Sequence, residues 1–536
     1  MKMTGFRQMI QIASKIGVIV WALAALLLTA GVSRAQGFQL LEATIDGVHA
    51  ALISGEITCV ELVQLYLDRI EAYDGQGPTL NAIQHVNTRA LEEADELDAA
   101  FSASGLVGLL HCIPVLLKDQ VETQDMPTTY GSAVFAGFVS GRDATVVTQM
   151  KQAGAIILAK TNMGEFASRY VGSAYGITRN AYDPTRNPSG SSGGTGAGIA
   201  ANFGMVGIGE DTGGSVRGPA AVHSLVGLRP SVPLVSRFGM MPANPAIDTL
   251  GPMTRTVVDA AILLDVLAGY DPNDPVSAYS VGRIPESYRD FLDENGLAGA
   301  RIGVIRQPMD PRTDLQSDDY KKVWAVMGRA LDDIVSLGAE IIDPVEVARL
   351  ELVDATFVRN NFETEQAIND YLTGLPNPPV SSLREILLTG KVTPWRAARF
   401  IDVVGRSPLD SGRIEVLLTI EQIRRSVLNL MAGARLDALL YATFDHQPTV
   451  IASDVLTNAN TTDGYNLGNN RRFSPLIGFP AISVPAGFTE DGLPVGLELM
   501  GREFSEGMLL RFAYAYEQAT QRRQPPATTP PLSPSL

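Results

Sequence analysis

Apolar positions along this chain follow two rhythms. Six runs, "IPVLL", "AIILA", "GMVGIG", "RIGVI", "DALLYA" and "AISVPAG", are continuously apolar over the length of a strand, as expected for strands covered on both faces. Helix-like segments such as "TVVTQMKQAG" separate them. In "TCVELVQLYLDRIEAYD", Thr58 and Glu61 stand in capping-box spacing, and Leu62, Leu65, Leu67 and Ile70 follow at near-helical intervals. "LNAIQHV" reads as a short strand and "TRALEEADELDAAFSA" as a charged surface helix. Such alternation predicts an α/β protein. Residues 314–435 are rich in amphipathic helical pattern and poor in motifs, and neither a linker nor an internal repeat divides the chain. A single large domain is expected over residues 36–522. The closing "PPATTPPLSPSL" makes residues 523–536 a proline-rich tail, extended or disordered.

Composition changes this picture at the N-terminus. Lys2, Arg7 and Lys15 precede the uncharged run "IGVIVWALAALLLTAG", and "VSRAQG" offers Ser33 and Ala35 as the small residues of a cleavage site. The run is short for a membrane span of about 20 residues, so residues 1–35 read as a cleavable signal peptide in preference to an anchor. The whole chain carries a formal charge of −16, and losing the leader with its four cations leaves −20. An acidic, exported protein is a poor partner for nucleic acid or an anionic membrane. Export permits a disulfide between Cys59 and Cys112, yet two buried thiols fit two cysteines equally well.

Three stretches could carry chemistry. Only eight lysines occur in the chain, and one of them, Lys118, ends the apolar run of "HCIPVLLKDQ". It is either an ion-paired cation beside Asp119 or a desolvated amine whose lowered pKa makes it a base near neutrality. "NPSGSSGGTGAG" contains a formal G-x-S-x-G match at Ser192, but no strand precedes it as a nucleophile elbow requires. In "GEDTGGSVRG" the backbone N–H groups of Thr212 to Ser215 could converge on an oxyanion beside the Ser215 hydroxyl, with Asp211 and Arg217 as supports. A glycine turn with an incidental serine is the plainer alternative.

Taken together, "IPVLLKD", "GAIILAKTNMGEFA", "GSSGG", "GEDTGGSVRGPAAVHSLVGLRPS", "DTLGPMTRTVVDAA" and "IGFPAISVPAGFTEDGLPVGLELMGR" resemble, in this order, the amidase signature family. The likeness runs over roughly residues 38–520. It implies the family's fold, a mixed central β-sheet surrounded by α-helices, and a Ser–Ser–Lys triad. Lys118 matches the lysine base, Ser191 the bridging serine that the family holds on a cis peptide bond, and Ser215 the nucleophile. Thr212, Gly213, Gly214 and Ser215 match the oxyanion loop, and Ser192 falls among the loop supports. No metal or organic cofactor is implied. Cys112 stands where the family usually has glycine.

The implied activity is hydrolysis of a carboxylic amide through a Ser215 acyl-enzyme, with aliphatic, aryl, peptide C-terminal or carbamate-type substrates all open. The expected partners are a small-molecule amide and water, with no nucleic acid and no obligatory protein partner; homo-oligomers stay open. Two rivals share the motifs: an amidotransferase subunit working with partner proteins on aminoacyl-tRNA, and a catalytically silent binding protein. A third, a His-dependent hydrolase, would need one of His49, His85, His111, His223 or His446 beside a reactive serine. Tyr130, Asn469 and Arg471 are candidates for a pocket wall, each equally well explained by structure alone.

Overall fold

The computed structural model describes residues 38–532; the predicted leader and the last four residues of the tail lie outside them. All the elements belong to the unit that begins at Leu40. In chain order the strands are β1 (Ile83–Val86), β2 (Pro114–Lys118), β3 (Ile156–Thr161), β4 (Val171–Gly172), β5 (Gly176–Ile177), β6 (Val206–Glu210) and β7 (Val226–Arg229). They continue with β8 (Leu250–Thr254), β9 (Arg301–Val304), β10 (Glu340–Ile342), β11 (Ala438–Ala442), β12 (Ala481–Phe488) and β13 (Pro494–Met500). Eleven of them form one sheet in the order β1-β3-β2-β6-β8-β7-β12-β13-β11-β9-β10, and β4 pairs with β5 alone. The sheet is mixed: β2 runs parallel to both β3 and β6, whereas β8, β7, β12 and β13 alternate in direction. This is the α/β architecture that the pattern predicts, with the mixed sheet that the resemblance implies. Each of the six apolar runs supplies a strand.

Burial explains the continuous apolar runs. Every residue of β2, β3, β6 and β11 is buried, because helices cover both faces. The capping box at Thr58 and Glu61 is formed and starts the helix Cys59–Tyr73. Leu62 and Ile70 of that helix enter the core, while Leu65 reaches the surface. The helix Gly193–Ala200 is buried along its whole length. A side chain at Gly194 would place its Cβ 2.3 Å from the Asn162 carbonyl oxygen and 2.4 Å from that of Ala82, so only glycine lets this helix lie against the sheet.

Two peripheral features bear on the sequence reading. Cys59 and Cys112 are joined in a disulfide, with Cα atoms 5.3 Å apart. Cys112 adopts φ 63°, the left-handed region that favours glycine, which accounts for the family's usual residue there. The proline-rich tail is docked as far as residue 530 and turns at Pro526–Thr529: Arg69 donates to the carbonyls of Thr529 and Pro530 at 2.8 and 2.9 Å, and Arg523 pairs with Glu42 at 2.6 Å.

Candidate active site

Neighbouring parallel strands β2 and β6 end side by side in Lys118 and Glu210. The crevice beyond the carboxyl ends of such strands is a usual place for a ligand site. Two glycine-rich loops meet there, one leading into Gly193–Ala200 and the other into the helix Arg217–Ala221. Gly190–Ser191 is a cis peptide. Lys118 Nζ donates to Ser191 Oγ at 2.7 Å and contacts Glu210 Oε2 at 2.8 Å, and all three side chains are fully buried. Ser215 retains 8% exposure and opens into a cavity of about 490 Å³ together with Gly190, Thr212 and Gly213.

Electrostatics at the lysine pull in two directions. Burial lowers the Lys118 pKa, the Glu210 carboxylate and hydrogen bond act against it, and the net shift is downward. Asp248 belongs to the same cluster. It accepts the N–H groups of Ala243 and Asn244, both at 2.8 Å. Burial, with Glu210 nearby, pushes its carboxyl up to about 7. The Thr212 hydroxyl donates to Glu210 Oε1. A buried amine thus faces several carboxyl groups, and their protonation decides how much of its charge survives.

The second loop is pinned by charge. Asp211 accepts from Gly214 N at 2.8 Å, Val216 N at 3.2 Å, Arg217 Nε at 3.2 Å and Arg229 Nη1 at 3.0 Å. Burial works against the Asp211 carboxylate, yet Arg217 and Arg229 hold it well below the usual range. Arg217 also pairs with Glu498, which Tyr441 Oη reaches at 2.9 Å. These bonds join Asp211 and Arg217 to the second loop. The Gly214 N–H is spent on Asp211, whereas those of Thr212, Gly213 and Ser215 have no partner among the described residues. Gly214 itself has φ 102°, and a Cβ there would fall 2.2 Å from that of Arg471. Ser192 ties its loop to β6, lying 3.3 Å from both the N–H and the carbonyl of Glu210.

Arg471 joins the two loops. Its Nη1 donates to Ser189 Oγ at 3.1 Å and to the carbonyls of Gly190 and Gly214, both at 3.2 Å. Asn469 Oδ1 accepts from its Nε at 2.8 Å. Both residues line the cavity, whereas Tyr130 packs with Phe135 and Phe166 in a separate apolar cluster. None of the five histidines is on the cavity wall. His446 pairs with Asp319 at 2.6 Å, and both ring nitrogens of His223 meet backbone groups, Pro219 O at 2.8 Å and Ala181 N at 3.2 Å.

Comparison with known proteins decides the family. The amidase family model matches residues 61–510. The chain belongs to the amidase signature family. It is 32% identical to a native peptide amidase from Stenotrophomonas maltophilia, with a TM-score of 0.82 over 91% of this chain and 99% of that one. A probable amidase of Arabidopsis thaliana is 32% identical over 91% of this chain and 92% of its own length. A glutamyl-tRNA(Gln) amidotransferase subunit from Gloeothece citriformis is 34% identical over 90% of this chain and 99% of its own length. As a member of this family the protein is an amidase, a hydrolase of C–N bonds. Motif reading passes over Glu210, Arg229 and Glu498 as site components, and it offers Arg471 as a wall candidate without its bonds to both loops. For Glu498 the available signal was a carboxylate inside the apolar "VGLELM" of β13.

Proposed function

We propose that this amidase acts without a partner protein, through a Ser215 acyl-enzyme served by Ser191 and Lys118. The observation that carries this reading is the fully buried Lys118 amine, 2.7 Å from Ser191 Oγ, with its pKa lowered by burial. Neutral Lys118 takes a proton from Ser191 as Ser191 takes one from Ser215, and the Ser215 oxygen bonds to the amide carbon. The carbonyl oxygen, now negative, is met by the free N–H groups of Thr212, Gly213 and Ser215. The relay returns the proton to the nitrogen as the C–N bond breaks, so the amine leaves neutral. Water then adds to the acyl carbon, its proton passes along the same relay, and the carboxylic acid departs from Ser215.

The substrate is a small carboxylic amide, and the neighbouring peptide amidase supports a peptide amide among the candidates. Export is part of the proposal, supported by the leader pattern and by a disulfide of the kind that oxidising compartments allow. The amidotransferase relatives favour a second reading, a protein that needs partners for turnover.

Intact mass after treatment with a fluorophosphonate tests the nucleophile. One adduct on the wild type and none on Ser215→Ala is expected, with turnover of a simple amide by the purified protein falling at least ~10⁴-fold in the variant. Equal labelling of both would move the nucleophile elsewhere. Labelling without turnover until other proteins are added would favour the second reading. Export predicts a mature chain that begins at Gln36.

A further inference from the structure

The cavity over Ser215 has an electrostatic character opposite to that of the chain around it. The chain holds 58 acidic and 42 basic residues, yet the cavity wall holds seven arginines and two acids, Asp354 and Asp402. Most of these guanidinium groups have a carboxylate of their own. Arg169 pairs with Asp463, Arg472 with Asp354, Arg312 with Asp310 at 2.9 Å and Arg399 with Asp402 at 3.4 Å. Three remain: Arg396, Arg406 and Arg471, which form no salt bridge among the described residues. Arg471 is committed to the two loops that meet at Ser215.

Arg396 and Arg406 are differently placed. Arg396 lies over the Phe400 ring, 4.1 Å from its centroid, and gives one bond, to the Phe166 carbonyl at 2.7 Å. Its Nε is buried without a partner. Burial pulls its pKa down to about 10, with the Glu165 charge acting against, so it stays cationic at neutral pH. Counting Glu165 among the compensating acids still leaves two guanidinium charges uncovered. Arg406 donates to Asn361 Oδ1 at 2.6 Å and to the Asp402 carbonyl at 2.8 Å, both uncharged acceptors. Leaving a buried donor unmet is costly, and a guanidinium fork fits a carboxylate in two parallel bonds.

We infer that this cavity selects amides bearing a second, anionic group, a carboxylate remote from the scissile bond that Arg396 and Arg406 receive while Ser215 attacks the amide. The inference rests on the Ser215 reading for the reacting end alone; the anion site stands on the wall's own charges. It places the enzyme on half-amides of dicarboxylic acids or on acylated amino acids, in preference to neutral amides.

The test uses two matched pairs: glutaryl-p-nitroanilide against its methyl ester, and 4-(butanoylamino)benzoate against its methyl ester. The first carries the charge on the acyl part and the second on the amine part. A carboxylate held by charge-assisted bonds is expected to raise kcat/KM about tenfold over the ester in one pair. That preference should shrink with added salt and in Arg396→Gln and Arg406→Gln. Esters cleaved as well as acids in both pairs would overturn the anion site and leave the amidase reading intact. Calorimetric titration of Ser215→Ala with glutaramate and with pentanamide covers the remaining outcomes. Tighter glutaramate binding without turnover of any of the four substrates would keep the anion site and sink the Ser215 reading. Equal or absent binding, again without turnover, would overturn the site itself.

Discussion

Residues 187–218 and residues 353–406 face each other across one cavity and manage charge in opposite ways. In the first region each buried charge has a partner: Lys118 with Glu210, Asp211 with Arg217 and Arg229, Arg217 with Glu498. Its hydrogen bonds go to backbone groups that must not move. On the cavity wall of the second region guanidinium groups outnumber carboxylates, Arg396, Arg399 and Arg406 against Asp354 and Asp402, and they are partly exposed. Charge at the reacting centre fixes geometry and is consumed in doing so; charge at the mouth is left available for a ligand. The difference follows from burial, because an unpaired ion is costly in the interior and cheap where water reaches it.

Removing the lysine should have the largest effect. Lys118→Ala is expected to lower kcat/KM by about 10³ and to destabilise the fold by about 3–5 kcal/mol, since it strands Glu210 as a buried carboxylate. Adding Glu210→Gln should restore the unfolding temperature and leave the rate low. Recovery of the rate in the double variant would show that the lysine supports the fold and nothing more.

Next in size is the response of the centre's scaffold to acid. Burial pulls the His223 pKa from 6.5 to about 4. The unfolded chain therefore takes up a proton in that window while the folded protein does not, and stability is lost as pH falls from 6.5 towards 4. The loss amounts to about 3 kcal/mol. Asp74 and Asp259, each raised by burial to about 6, act in the opposite sense. The informative quantity is thus the difference between wild type and His223→Gln in urea unfolding. Parallel pH profiles for the two proteins would remove His223 as the source.

A smaller effect is expected where the two regions touch. Arg471→Met frees both loops and should cut kcat by about 10–100-fold on a neutral amide, with KM changing less. A change confined to KM would make Arg471 a wall residue only.

Sequence pattern revealed the centre far better than the mouth. The six apolar runs became strands because both faces of the sheet are covered, and burial on both faces leaves a mark on every residue. Strands β8 and β13 escaped that reading: "LGPMT" carries glycine and proline, and "PVGLELM" hides Glu498, whose charge Arg217 absorbs from a distant segment. Lys118 stood out because a lysine is rare in an apolar run. Arg396 and Arg399 could not stand out, because arginines on an amphipathic helix look alike whether they face solvent or a cavity, and Arg406 follows that helix in a loop without periodic pattern. Which face they take depends on packing against residues far away in the chain.

The finest test of the contrast is the charge beside the base. Glu210 favours the protonated form of Lys118, while burial favours the neutral amine that the reaction needs. Glu210→Gln keeps one acceptor oxygen, for Thr212 or for the lysine, puts an NH2 donor in place of the other and removes the negative charge. The Lys118 pKa should then fall further, and the acid limb of the pH profile of kcat/KM should move to lower pH. Asp211 and Asp248 stay in place and act in the direction Glu210 did, so the limb is displaced and not abolished. The plateau should drop by a few fold, since a weaker base takes the serine proton less readily. Arg406→Gln, at the mouth, is expected to alter KM for an anionic amide and leave the limb where it is. A limb that stays fixed in Glu210→Gln, or moves upward, would mean that some group other than Lys118 sets the pH dependence. The paired charges of the centre would then serve the fold alone.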